Sequence, residues 1–553
     1  MLVFDVGPAC PPAIMSRTVK FSLGPDDIEE DVIPRPHTPP VSSSRSATQS
    51  PDRAPELMRH HSGASITSSG QPSFSRCDAD TPDEFPHATK RTMRDYLKRY
   101  EEMFIITPQR MRIIANVLEE TLEKGLKEPG QVVPMIPTWV FGWPTGNEKG
   151  DYLALDLGGT NLRVCLVTLA GQGQFAITQS KYRLSEEIRQ GSAVDLFDYC
   201  ATSVLNFITE HSGDAPGRLI APGTILPLGF TFSYPCEQDR IDHAMLIRWT
   251  KGFGVSGAEG QDCGKLFQDA LSKHQVPVVL ASVINDTTGT LIASHYVDPS
   301  TRIGVILGTG CNAAYMEKVG AIDKIAKLGI DAAESMAINC EWGAFDSFTH
   351  ANLPRTRFDE AVDRQSNKPG EQSFEKLISG AYLGEILRLV INELIVDGII
   401  FAGQNTYKLE KPYSLDTAVL SMMESDTTDE LLTIVGMFVH YYNLETTLSE
   451  RQFFRALARL IGRRAARLAA CGIGALVSKM DILEEGCSVG ADGSLYNKYP
   501  GFAKRIHEGL VDIFGDKGHN ITTHHAEDGS GVGSAIIAAM TKQRRDEGKY
   551  PQV

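Results

Sequence analysis

Two short segments, Asp156-Leu157-Gly158-Gly159-Thr160-Asn161 and Leu307-Gly308-Thr309-Gly310-Cys311-Asn312, lie about 150 residues apart, and each divides two apolar, strand-like runs: 152–155 from 164–169, and 303–306 from 313–316. Each reads as a strand-turn-strand unit whose turn is built from Gly, Thr and Asn. Glycine puts no side chain between backbone and anion, and it tolerates the unusual dihedrals of a turn that aims several N–H groups at one phosphate. Two such turns can grip a polyphosphate from both sides. The spacing therefore predicts a duplicated α/β protein with a nucleotide cleft between its halves.

At 553 residues the chain exceeds what one core holds, so two lobes with appended material are expected. The formal net charge of -15 argues for no nucleic-acid partner, because such binding rests on clustered Lys and Arg. A small anion held by local amides remains compatible with it. No run of about 18 apolar residues occurs, so no membrane span is expected. The N-terminal stretch MLVFDVGPACPPAIMS carries an Asp and no Lys or Arg, unlike a secretory or transit signal, and the ten cysteines show no CxxC pairing. The expectation is a cytoplasmic protein with reduced thiols, with the mitochondrial surface and the nucleus left open.

Residues 1 to about 88 are rich in Ser, Pro, Thr, Asp and Arg, and too poor in apolar clusters to offset the entropy of ordering. Thr38-Pro39, Ser50-Pro51 and Thr81-Pro82 make this tail a candidate for proline-directed phosphorylation and for binding regulators, although such pairs accumulate in any Pro-rich tail. Order is expected from Thr92, after which Met93, Tyr96, Leu97, Tyr100, Met103 and Phe104 share one helical face. In the next helix Thr107 is the N-cap, Pro108 the first residue, Met111, Ile114, Leu118 and Leu122 the apolar stripe, and Gly125 the stop. From Tyr152 strands alternate with helical patterns, and the chain divides into parts 89–292, mostly the small lobe, and 293–545.

Two other glycine-rich stretches are decoys. Gly260-Gln261-Asp262-Cys263-Gly264-Lys265 resembles a Walker loop, but its glycines are one residue too close and Leu266 stands where a magnesium-binding Ser or Thr belongs. Asp528-Gly529-Ser530-Gly531-Val532-Gly533 resembles a dinucleotide fingerprint, but Ser534 replaces the third glycine and no ribose-binding βαβ unit follows. It does open an apolar helix, whose N-terminus suits an anion or nucleotide. Arg463, Arg464 and Arg467 fit a solvated or salt-bridged helix face; His524 and His525, adjacent on a strand, point to opposite sides and do not share a metal.

Three polar clusters in apolar settings are candidates for a second substrate: Ser233-Tyr234 with Thr250-Lys251, Asn285-Asp286 at the end of the buried-looking run 277–284, and Asn339-Cys340-Glu341 with Glu375 further on. Hydroxyls, amides and carboxylates together suit a polyhydroxylated ligand, each of whose OH groups wants a donor and an acceptor. A carboxylate ending a buried strand suits a general base for an attacking hydroxyl. Taken singly, Asp286 reads as well as a helix cap, Lys251 as a solvated charge and Glu341 as a salt-bridge partner.

Taken together, the motifs LALDLGGTNLRV, LPLGFTFSYP, RWTKGF, INDTTGTL, GVILGTGCNAAY, AINCEWGAF, KPGEQSFEKLISGAYLGE, VGADGSLYNKYPGF and EDGSGVGSA, in this order and from about residue 90 to 540, closely resemble the eukaryotic hexokinases, glucokinases included. The resemblance implies an α/β, two-lobed, duplicated actin-like ATPase fold of the ribonuclease H type with a central cleft. It implies an enzyme that transfers the γ-phosphoryl of ATP to the 6-hydroxyl of glucose or related hexoses, the first step of glycolysis. Ser233, Tyr234, Thr250, Lys251, Asn285, Asp286, Asn312, Glu341 and Glu375 would line the hexose site, with Asp286 the base and Lys251 steadying the sugar and the transferring phosphoryl. The ATP side would comprise Asp156, Gly158, Gly159, Thr160, Asn161, Thr309, Gly380, Ala381, Thr417, Ser421, Ser494 and Lys498, with Gly529, Ser530 and Gly531 near the adenosine. Mg2+ would ride on the phosphates, with Asp156 reaching it through water. Leu162, Ala244, Ala491 and Ser534 depart from the residues usual in the family, and none is a reacting group. The rival reading is a catalytically weak sugar sensor; a chaperone-type ATPase of the same superfamily would leave Ser233, Lys251 and Glu341 unexplained.

Overall fold

The computed structural model describes residues 92–212, 220–221, 223–250 and 252–551. The tail with its three Ser/Thr-Pro pairs, and Lys251, lie outside these residues. The strands are β1 (Ile136–Phe141), β2 (Lys149–Leu157), β3 (Asn161–Gly171), β4 (Gln174–Arg183), β5 (Leu226–Phe232), a short pair β6 (Cys236–Glu237) and β7 (Met245–Leu246), β8 (Val278–Ile284), β9 (Thr301–Leu307), β10 (Cys311–Lys318), β11 (Ser335–Asn339), β12 (Cys487–Asp492) and β13 (Ile521–His525). The first main sheet has the order β4-β3-β2-β5-β8, antiparallel through β2 and parallel beyond it. The second repeats that order and those directions as β11-β10-β9-β12-β13, with β1 added antiparallel at its edge. The duplication expected from the two turns is present strand for strand.

Each sheet is covered on both faces, and the side-chain period of two sorts residues accordingly. On β2, Leu153, Leu155 and Leu157 join a core with Phe230 and with Phe197 and Phe267 from the helices Ala193–His211 and Cys263–Lys273, whereas Ala154 belongs to the other core. The chain then leaves each sheet by crossing to the other. After β8 the helix Asp286–Val297 packs on β9, and after β13 the helix Gly529–Asp546 packs on β2, β5 and β8. The two helices meet at glycines. A Cβ on Gly533 would lie 2.0 Å from the Gly289 carbonyl oxygen, and one on Gly529 would lie 2.6 Å from Thr290 Oγ1. Only bare backbone allows this approach, so the spacing that resembles a dinucleotide fingerprint serves a helix crossing. The Walker-like stretch has an equally local explanation. Asp262 accepts the Gly264 N–H at 3.0 Å, so a side-chain carboxylate caps that helix.

The N-terminal helices form as their patterns predict. Met93–Phe104 begins under a capping box of Thr92 and Asp95 and buries Tyr96, Tyr100 and Phe104. Pro108–Lys127 is capped by Thr107, but Gly125 lies inside it, not at its end. A Cβ there would meet the Val133 carbonyl oxygen at 2.2 Å, so this glycine admits a crossing chain and does not stop the helix. Both helices pack on the long helix Leu448–Lys479 beside the second sheet, although they precede the first sheet in sequence. Within that long helix Arg464 grips Asp359 through two bonds of 2.7 Å, and Arg467 pairs with Asp512 at 2.6 Å and reaches the Ile106 carbonyl at 3.1 Å. The salt-bridged reading of this face holds; the solvated one fits only the exposed Arg463. Among the described residues no helix is long and apolar enough to cross a membrane.

Candidate active site

The two glycine turns are built for room, which corrects the expectation that they need unusual dihedrals. None of Gly158, Gly159, Gly308 and Gly310 has a positive φ. A Cβ on Gly158 would lie 3.0 Å from the Asn161 carbonyl oxygen, the acceptor of the Gly158 N–H, and one on Gly310 would lie 2.6 Å from Glu375 Oε2. Thr160 and Asn161 are exposed on the first turn, joined by an Nδ2–Oγ1 bond of 3.0 Å. The second turn is clamped from outside. Gly380 and Ala381 donate their N–H groups to the carbonyls of Gly308 and Thr309 at 2.7 and 3.2 Å, and Thr417 donates its hydroxyl to the Gly380 carbonyl at 2.6 Å. Gly493, at φ +112, brings the short helix Ser494–Lys498 against Gly308, and Ser421 reaches the Lys498 carbonyl at 3.4 Å. Thr309, Gly380, Ala381, Thr417, Ser421, Ser494 and Lys498 thus form one connected rim.

Asp156, next to last on β2, is part of a charged cluster that reaches across the chain. Its Oδ2 accepts from Arg163 Nη2 at 2.6 Å and from Ser530 Oγ at 2.9 Å, while Arg163 Nη1 pairs with Asp528 at 2.8 Å. Burial works against the guanidinium charge, but the Asp156 and Asp528 carboxylates more than offset it and hold the Arg163 pKa above the usual arginine value. Gly529 and Gly531 are buried at the crossing, so of that trio Ser530 presents a side chain to this cluster. Arg163 and Asp528 were not singled out in the sequence. The available signal was an arginine near the start of a largely apolar strand.

On the other side, Asn285 is the N-cap of the helix Asp286–Val297, accepting the Thr287 N–H at 2.9 Å. Capping is therefore not the role of Asp286, and among the described residues its carboxylate accepts one side-chain hydrogen bond, from Thr287 Oγ1 at 3.2 Å. Its own N–H donates to Ser233 Oγ at 3.1 Å, which joins the end of β5 to the end of β8. Asn312 on β10 and Glu341 beyond β11 are also brought together. The Asn312 amide donates to Glu341 Oε1 at 3.3 Å, and the Glu341 N–H donates back to Asn312 Oδ1 at 3.0 Å. Glu375 accepts the Cys311 N–H at 3.0 Å and so braces the second turn. Burial raises the Cys311 thiol well above its usual range, leaving it a neutral packing group. Tyr234 is buried, its ring centroid 4.9 Å from Trp249 and 5.4 Å from Phe253. Thr250 follows Trp249, and Arg248 just before it pairs at 3.1 Å with Glu371 of the second half. Lys251, the expected cation at the phosphoryl, is outside the described residues. Asn339 bridges Asn312 and Glu341; it belongs to the third polar cluster of the sequence but not to the hexose set that the family resemblance implies.

Two family models described as hexokinase match the chain, over residues 96–296 and 302–540. It is 46% identical over 453 residues to hexokinase-1 of Schizosaccharomyces pombe, covering 81% of this chain and 91% of that protein. It is 45% identical over 479 residues to hexokinase-1 of Saccharomyces cerevisiae, covering 84% and 97%. Among solved structures it resembles a hexokinase from Schistosoma mansoni complexed with glucose, with a TM-score of 0.72 and 34% identity over 81% of this chain and 100% of that one. Matched in both halves and over nearly the full length of its fungal relatives, the chain belongs to the hexokinase family.

Proposed function

We propose that this hexokinase, a phosphotransferase acting on hexoses with ATP, phosphorylates the 6-hydroxyl of glucose and related hexoses with Asp286 as the base. The observation that carries the assignment is the division of labour at the end of β8. Asn285 caps the helix, so the neighbouring carboxylate can accept a proton. In the proposed step the sugar O6 attacks the γ-phosphorus, its proton passes to Asp286, and the bond to the bridging oxygen breaks with its electron pair leaving on ADP. Ser233, Tyr234, Thr250, Lys251, Asn285, Asn312, Glu341 and Glu375 form the hexose side. Of these, Glu341 brings a carboxylate of the kind sugar hydroxyls require, with the Asn312 amide bonded to it at 3.3 Å.

The donor side comprises the first turn (Asp156, Gly158, Gly159, Thr160, Asn161), the connected rim from Thr309 to Lys498, and Gly529, Ser530 and Gly531. Two donors, Arg163 and Ser530, already converge on Asp156 Oδ2, and no cluster of three His, Cys, Asp or Glu side chains able to hold a metal occurs among the described residues. That donor set fits an Mg2+ carried by the nucleotide and touched by Asp156 through water; the ion would neutralise phosphate charge. Closure of the lobes would exclude water from the γ-phosphoryl. Eight free cysteines among the described residues, seven of them buried, support a cytoplasmic location, and regulation through the N-terminal tail belongs to the same proposal. The test is a coupled assay of the full chain with glucose, ATP and Mg2+. Turnover no higher than that of an Asp286→Ala control would overturn the assignment in favour of a sugar sensor.

A further inference from the structure

We infer that Asn339 is a positioning residue that sets Asn312 and Glu341 for the hexose. The inference rests on the reading of those two residues as sugar ligands. Asn339 is the last residue of β11 and only 6% exposed, and its backbone is fixed on both sides, paired with Ala314 of β10 and Ile136 of β1. Its amide faces two ways. Oδ1 accepts from Asn312 Nδ2 at 2.6 Å, and Nδ2 donates to Glu341 Oε1 at 2.9 Å. Asn312 Oδ1 takes the N–H groups of Ala313 and Glu341 at 2.7 and 3.0 Å, so the orientation of the Asn312 amide is specified from both ends.

The arrangement also holds a backbone that would otherwise relax. Glu341 has φ +54, a left-handed conformation costly for a residue with a side chain, and it follows two residues after the rigid strand position. The side-chain amide of Asn339 donates to the carboxylate and accepts from the neighbouring amide at once, at a length that spans both. A carboxylate at 339 would keep the shape and the acceptor but set two anions within hydrogen-bonding distance, so that one proton would be shared between them. The fit of the site to the sugar would then depend on pH more steeply than in the native enzyme.

The test measures KM for glucose and for ATP, from about pH 5.5 to 8.5, in the full chain carrying Asn339→Asp, Asn339→Ser or Glu341→Gln. For Asn339→Asp the expected result is a KM for glucose close to wild type at the acid end, rising at least tenfold more steeply with pH than in wild type, with the KM for ATP within about twofold throughout. Asn339→Ser, smaller and neutral, should raise the KM for glucose by roughly tenfold or more at every pH, and it carries the test if the carboxylate variant does not fold. A KM for glucose within twofold of wild type in a folded Asn339 variant, while Glu341→Gln raises it, overturns the role of Asn339 alone. If Glu341→Gln also leaves it unchanged, the hexose-site reading itself fails. A loss of thermal stability with no change in either KM assigns Asn339 to packing and overturns the inference.

Discussion

Replacing Asp286 by Asn is the most informative single change, because the structure separates its effect on chemistry from its effect on folding. An asparagine keeps an acceptor for Thr287 Oγ1 and leaves intact the backbone N–H that donates to Ser233 Oγ at 3.1 Å. Helix capping is untouched, since Asn285 supplies it. The folding cost should therefore stay within about 0.5 kcal/mol, the range for substitutions that disturb no cap, core or ion pair. Losing a general base lowers turnover by about 10² to 10⁴, which is about 3 to 5 kcal/mol of barrier. Steady-state kinetics with a coupled assay, denaturant unfolding and direct titration of the hexose should together show kcat down by that factor, with stability and hexose affinity nearly unchanged. Asn285→Ala provides the internal contrast, because loss of the cap costs about 1 kcal/mol of stability. If Asp286→Asn retained more than about a tenth of wild-type kcat, Asp286 would not be the base. If it lost stability like a cap mutant, the division of labour would be wrong.

Three further outcomes follow from other parts of the fold. Gly533→Ala places a Cβ 2.0 Å from the Gly289 carbonyl oxygen, where overpacking should cost about 3 kcal/mol or more; an unchanged unfolding midpoint would show that the helices do not cross there. For Asp359, burial would raise the carboxyl pKa, but Arg464 and Thr356 more than offset this and hold it below the usual range. Its stabilising contribution is thus present above the unfolded value of about 3.9 and lost as pH falls through the folded one, so the urea midpoint should drop on acidification below about pH 4 more in wild type than in an Asp359→Asn/Arg464→Met variant. The Arg248–Glu371 pair joins the two halves at half-exposed positions, where such pairs contribute at most about 1 kcal/mol. The KM for hexose should rise severalfold between low and high salt in wild type but not in Glu371→Gln, and equal salt dependence in both would remove the pair from closure.

What the sequence revealed and what it hid divide along a physical line. Local patterns were legible: Thr92 and Thr107 announce their helices, and the repeated turns announce two like sheets. So was the placement of Asn285 and Asp286 at the end of a buried strand. Residues acting through distant partners were not. Gly125 reads as a helix stop until segment 133–135 is seen to cross it. Arg163 meets Asp528 and Ser530 more than 360 residues later, and Arg464 meets Asp359 across 105 residues. Sequence spacing does not encode such pairings, because they arise only when separate elements are packed together. The same reason explains why Asn339 was visible as a polar residue but not as the link between Asn312 and Glu341.

The crossing helices suggest why a duplicated fold can handle two substrates. Each starts at the end of the fifth strand of one sheet and packs on the other, so the two N-termini are structural counterparts. In the first copy that position holds Asp286, assigned to the acceptor. In the second it holds Gly529-Ser530, and Ser530 Oγ donates to Asp156 at 2.9 Å and accepts from Arg163 Nη2 at 2.6 Å. If the counterparts have divided the substrates between them, Ser530→Ala should loosen Asp156 and leave the sugar side alone. Losing two hydrogen bonds to charged partners is worth about 1.5 to 3 kcal/mol each when both ends are buried, and less in this half-buried cluster, so a rise of about tenfold in the KM for ATP is expected with the KM for hexose within twofold. A rise in the KM for hexose at constant KM for ATP would show that Ser530 serves the acceptor side, and the correspondence between the two helix starts would carry no division of function.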